Sequence, residues 1–236
     1  MLRPTMNAAR TIVLLPGLDG TGLLFKDFKA TLERFYAVRS ISYPVDVPLS
    51  YDELLPLVRA RLPTGDFIVV GESFSGPLAL RLAVDAPSGL KGVVLGASFA
   101  RLDLPLKSVM SRLVKFVPAH RIPIHVLAFF LLGRWTTPDR RLELAAALSR
   151  VSSDVLTARA RATLNVDLVK DARRLAVPLL YLRASADRLI PSSAARSLAG
   201  IAPAMTVQEI TAPHFLFQTA PEACADAIRH FGDAIT

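Results

Sequence analysis

Short strand-like runs alternate along the chain with stretches in which apolar residues recur three and four positions apart. The runs lie at 11–15, 37–41, 67–70, 90–95, 177–184 and 205–210. Runs this short, bounded by glycine, proline and polar clusters, predict buried strands. Helical spacing is predicted over 25–34 and 51–62, onward from about 74, from near 192, and in the C-terminal segment that holds His230. Strands that alternate with helices imply an α/β fold: a mostly parallel sheet of about six strands covered by helices.

The alternation is interrupted between 95 and 177. Residues 101–174 predict three or more helices, over 102–116, 122–132 and 139–149, separated by Pro118, Pro123, Gly133 and Pro138. The apolar run 125–133 is far too short to span a bilayer and is expected to pack on the core or line an acyl pocket. The predicted organisation is therefore a core of 1–100 and 175–236 with a helical cap of 101–174 inserted in it.

Charge sharpens this division. The chain has 28 Lys and Arg against 20 Asp and Glu, a formal net charge of +8. Residues 101–174 hold 14 of those bases and 6 of the acids, so the whole excess falls in the predicted cap. A basic cap would draw in an anionic partner, such as an acyl-carrier protein, a coenzyme A thioester or an anionic membrane surface. It also reads as a solvated, arginine-rich face. No stacking aromatics accompany the charge, so nucleic acid is not an expected partner.

With 236 residues, 52% of them hydrophobic, the chain can bury one large core. The first ten residues are too short and polar for a signal peptide, and the single Cys224 allows no internal disulfide, so a cytoplasmic protein is expected. Cys224 is expected to fill a helix face. No histidine, cysteine and carboxylate cluster has ligand spacing, and neither a metal nor another cofactor is expected.

The candidate chemistry starts at Gly71-Glu-Ser-Phe-Ser-Gly76, where a strand run breaks at a serine and helical spacing follows. This is close to the Gly-x-Ser-x-Gly elbow, which exposes a nucleophilic serine on a sharp strand-to-helix bend. Ser75 stands where the second glycine is usual, as a residue small enough to be tolerated. An ordinary strand-turn-helix corner is the alternative.

A serine hydroxyl needs a base to take its proton and a carboxylate to orient that base. Asp187 follows the strand run 177–184, and His214, behind Pro213, follows the run 205–210. The order Ser73, Asp187, His214, each just past a strand, predicts a catalytic triad. Asp187 also stands where it could cap the helix beginning near 192. His120, His125 and His230 fall in helical segments and are not candidates.

With this order of residues the chain resembles the α/β-hydrolase superfamily over nearly its whole length apart from the middle third. The resemblance implies an α/β-hydrolase fold, with little room before Thr11 for the leading antiparallel hairpin of many members, and a lid at 101–174. Leu14-Leu-Pro-Gly-Leu-Asp-Gly-Thr-Gly22 looks like the family's oxyanion loop. Carried over to this chain, the oxyanion hole would be the backbone N–H groups of Leu18 and Phe74. The sequence is similar to small carboxylesterases, including pimeloyl-carrier-protein methyl ester esterases. The expected activity is a serine esterase acting on a small-molecule carboxylic ester, either free or carried on an anionic carrier such as an acyl-carrier protein. The alternatives are a thioesterase or acyltransferase, because the loop is also similar to those of thioesterases and phytyl ester synthases, or a non-catalytic ligand-binding member of the fold.

Overall fold

The computed structural model describes residues 10–104, 109, 111–112, 122–169 and 175–235. Six strands form one sheet: β1 Arg10–Leu15, β2 Ala37–Ser40, β3 Asp66–Glu72, β4 Leu90–Gly96, β5 Leu179–Ala184 and β6 Thr206–Ile210. Their order is β2-β1-β3-β4-β5-β6, and every neighbouring pair is parallel. The unbroken apolar runs are explained by burial on both faces. Ile12, Leu14, Ile68 and Val70 belong to one core cluster, while Val13, Leu15 and Val69 belong to the other.

Helices cover both faces: α1 Lys26–Leu32, α2 Tyr51–Arg59, α3 Gly76–Asp85, α7 Ala194–Ile201, α8 Leu216–Thr219 and α9 Pro221–Ala234. Between β4 and β5 run α4 Ile124–Leu131, α5 Pro138–Ser149 and α6 Ser153–Asn165. The helix expected over 102–116 falls largely outside the described residues, as does His120. Cys224 is fully buried on α9. Among the described residues no helix is long and apolar enough to cross a membrane.

The apolar run of α4 packs on the core only in part. Ala128 is buried, but Phe129 and Phe130 are 55% and 41% exposed. Arg188 stacks on the Phe129 ring at 4.2 Å and donates to the Phe129 carbonyl, so a guanidinium lies over one of the two exposed rings.

The chain leaves β1 toward β2 and returns on the other side of β1 to form β3. Ligands of open α/β sheets bind beyond the carboxyl ends of strands at such a switch point. Leu15 pairs with Gly71 and Ala184 with Ile210, so four strand ends lie at one rim and present the loops after β1, β3, β5 and β6 together.

Candidate active site

Ser73 sits directly after β3 with φ 46°, a left-handed backbone that a serine adopts only under constraint. Gly71 makes the bend possible. A Cβ there would lie 2.8 Å from the Ser75 carbonyl oxygen and 3.0 Å from the Ala79 Cβ. A short 3-10 turn, Ser73–Ser75, precedes α3, so the α-helix begins at Gly76 and not near Phe74. The Ser98 hydroxyl donates to the Ser73 carbonyl at 2.6 Å and holds the corner from below.

The other two expected residues meet this serine. His214 Nε2 lies 2.8 Å from Ser73 Oγ, and its Nδ1 lies 3.1 and 3.0 Å from the two oxygens of Asp187. His214 is 2% exposed, while Ser73 is half-buried. Asp187 Oδ1 also accepts from the N–H groups of Leu189 at 2.8 Å and Ile190 at 3.0 Å. Burial pushes the Asp187 carboxyl up. The neighbouring His214 and these two N–H groups outweigh it and hold the carboxyl below its ordinary range. The alternative of Asp187 as a plain cap of α7 gives way to this arrangement, because α7 begins only at Ala194 and has no side-chain cap.

The loop after β1 packs against the elbow. Gly20 N–H donates to the Gly17 carbonyl at 3.0 Å, and Tyr43 N–H donates to the Gly20 carbonyl at 2.8 Å. A trans peptide points its N–H opposite its carbonyl, so fixing the Gly17 carbonyl toward Gly20 aims the Leu18 N–H the other way. Phe74 is held by its ring, stacked on Tyr51 with centroids 4.8 Å apart, and by its carbonyl, which accepts from the Tyr51 hydroxyl at 2.8 Å. Arg159 of α6 is 1% exposed and donates to the Leu18 carbonyl at 2.9 Å and the Asp19 carbonyl at 2.7 Å.

Residues 12–227 match the alpha/beta hydrolase family, by sequence and over nearly all of the chain. The chain belongs to this family. Family membership places it among hydrolases. It is 27% identical over 244 residues to RutD of Caulobacter sp. (strain K31), named as a proposed carbamate hydrolase, covering 94% of this chain and 90% of that protein. In structure it is similar to the enol-lactonase from Burkholderia xenovorans LB400, with a TM-score of 0.81 at 17% identity, covering 96% of this chain and 92% of that one. The esterase EaEST from Exiguobacterium antarcticum gives 0.82 at 14% identity, with the same coverage of 96% and 92%. At such identities the two structural likenesses establish the alpha/beta hydrolase fold.

Within this alpha/beta hydrolase the elbow carries more bonding than its small residues suggest. Ser75 is not a mere spacer. It is fully buried and donates to the Pro16 carbonyl, which ties the elbow to the loop after β1. That carbonyl can only accept, so the Tyr43 hydroxyl is the donor in its 2.6 Å contact with Ser75 Oγ.

Glu72, between Gly71 and Ser73, is a buried carboxyl that accepts from Gln218 Nε2 at 2.9 Å. Burial pushes it up to about 7; the Gln218 bond, His214 and the Gly17 N–H pull it down, and Asp19 adds to the rise. Its ordinary value is 4.5, so between about pH 4.5 and 7 the folded chain keeps a proton that the unfolded chain has released. Stability should fall as pH rises across that window. Glu72→Gln removes this titration. Urea unfolding at pH 5 and pH 8 is expected to show the variant gaining on the wild type by on the order of 2 kcal/mol at the higher pH. The lowered Asp187 acts in the acid range with the opposite sign, losing its contribution as pH falls, and is common to both proteins. Parallel profiles would show that Glu72 titrates alike in the folded and unfolded chain.

Proposed function

We propose that the protein is a serine esterase that cleaves small-molecule carboxylic esters through an acyl-enzyme on Ser73. The observation that supports this most is the continuous chain from Ser73 Oγ to His214 Nε2 at 2.8 Å and from His214 Nδ1 to Asp187 at 3.0 and 3.1 Å. His214 takes the Ser73 proton as Oγ bonds to the acyl carbon, then gives it to the departing alkoxide as the carbon–oxygen bond breaks. Water, deprotonated by the same imidazole, repeats the attack and releases the acid. Asp187 keeps the Nδ1 proton in place and stabilises the imidazolium. The backbone N–H groups of Leu18 and Phe74 are the proposed oxyanion hole, each contributing about 3 kcal/mol to the transition state in comparable sites.

An acyl carbon–oxygen bond is favoured by the names of two structural neighbours, an esterase and an enol-lactonase, since a lactone is a cyclic ester. We read 101–174 as a cap over the site, supported by the Phe215 N–H, beside His214, which donates to the Leu131 carbonyl of α4 at 3.0 Å. Its exposed Arg134 and Arg141 suit a substrate delivered on an anionic carrier.

The test is a matched series of one acyl group offered as nitrophenyl ester, alkyl ester, thioester and carbamate, across several chain lengths. The reading predicts the highest kcat/KM for oxygen esters. A thioester preferred more than tenfold over its matched ester would assign the triad to acyl-carrier or coenzyme A chemistry. Preferred carbamate turnover would align the chain with the name of its Caulobacter relative.

A further inference from the structure

We propose that Arg159, delivered by α6 of the inserted segment, is the positioning residue of the oxyanion hole, so that the hole is complete only while α6 is docked. The inference rests on the acyl-transfer reading above. Arg159 bonds to one residue assigned as a donor and lies over the ring of the other. Its Nη1 holds the Leu18 and Asp19 carbonyls, and its Cζ lies 5.9 Å from the centre of the Phe74 ring. Nη2 donates to the Pro44 carbonyl at 2.8 Å, and the Tyr43 ring centre lies 5.5 Å from Cζ.

This is an unusual place for a cation. Taking a guanidinium out of water is costly unless its donors are matched, and packing alone would be served better by an apolar side chain. These three bonds all go to backbone carbonyls. The Asp19 carboxylate instead accepts from the Thr21 N–H at 2.9 Å. The planar fork therefore serves the shape of the loop, a task lysine meets poorly. Gly20 is part of the fit: its φ of 69° suits glycine, and a Cβ there would overlap the guanidinium.

The positioning follows from peptide geometry. The Gly17–Leu18 peptide is oriented by the bond between Gly20 N–H and the Gly17 carbonyl, and the Leu18–Asp19 peptide by Arg159. With the planes on both sides of the Leu18 Cα fixed, the Leu18 N–H has one direction. Leu18 also packs against Val151, Val155 and Leu156, so the first turn of α6 and the residue before its N-cap cover the loop that Arg159, farther along the same helix, bonds. A buried positive charge beside the hole further favours the negative charge that develops on the acyl oxygen.

The test compares wild type, Arg159→Met and Arg159→Lys in the full chain, with kcat and KM for the best nitrophenyl ester. It adds the inhibition constant of a trifluoromethyl ketone with the same acyl chain. Ser73 Oγ adds to that ketone carbonyl as His214 takes the serine proton, leaving an oxyanion in the hole. Arg159→Met is expected to lower kcat about 30- to 100-fold with KM within about threefold of wild type, and to weaken the ketone by the same factor as kcat/KM. Arg159→Lys is expected to recover part of both losses, because it keeps the charge without the fork. Wild-type kcat in a folded variant would overturn the proposal, as would a fall in kcat with the ketone bound as tightly as before. If Arg159→Met does not fold, the parallel loss in Arg159→Lys decides by the same criteria. Ser73→Ala, run alongside, separates the two readings. Ester turnover retained in that variant would sink the acyl-enzyme itself, whereas its loss together with unaffected Arg159 variants would sink only the positioning role.

Discussion

Ser73→Ala is expected to lower kcat for ester hydrolysis by about a millionfold, to the rate left by binding and the oxyanion hole alone. The fold should survive, because the chain already accommodates alanine in this backbone geometry: Ala97 has φ 45° against 46° for Ser73. His214→Ala should lose a comparable factor and the double variant little more, since a nucleophile without its base is as ineffective as a base without its nucleophile. Steady-state rates on a short nitrophenyl ester, with circular dichroism as the control for folding, check this. Additive losses in the double variant, or several per cent of wild-type activity in either single one, would mean that the reaction runs through other groups.

Asp187→Asn should cost about ten-thousandfold in kcat. The reason lies in the imidazole tautomer. The carboxylate can only accept, so it holds the His214 proton on Nδ1 and leaves Nε2 free to take the Ser73 proton across 2.8 Å. An asparagine amide can satisfy the same site by donating to Nδ1, which moves the imidazole proton to Nε2 and blocks the base. Two backbone donors, Leu189 and Ile190, still have an acceptor in the amide oxygen, so the loop should keep its shape. Full activity of Asp187→Asn would call for another acid. Asp167 is engaged with Arg101 through a bridge and an ion pair at 3.9 Å, and Asp171 lies outside the described residues.

The parts of this fold that were legible in the sequence are those set by local pattern. The strand runs were visible because both faces of the sheet are buried, so Ile12, Val13, Leu14 and Leu15 are all apolar although alternate members face different cores. Ser73, Asp187 and His214 were legible because each follows a strand. The rest depends on contacts between distant residues. Arg159 binds a loop about 140 residues away, and in the sequence it is indistinguishable from the other cap charges. Ser75 looked like a stand-in for glycine because nothing near it in sequence reveals the Pro16 carbonyl or Tyr43 as its partners. The apolar spacing begins at Phe74, two residues before α3 itself, because the elbow needs a 3-10 turn before the α-helix can form. The apolarity of Phe129 and Phe130 does not reveal their exposure, and the Arg188 that stacks on Phe129 comes from the loop after β5.

The most direct test of the acyl-enzyme is covalent. Wild-type protein is incubated with a fluorophosphonate, digested, and sequenced by mass spectrometry, in parallel with Ser73→Ala and with His214→Ala. One adduct is expected, on Ser73, absent from Ser73→Ala and formed much more slowly in His214→Ala. An unlabelled wild type, or an adduct that persists in Ser73→Ala, would contradict it.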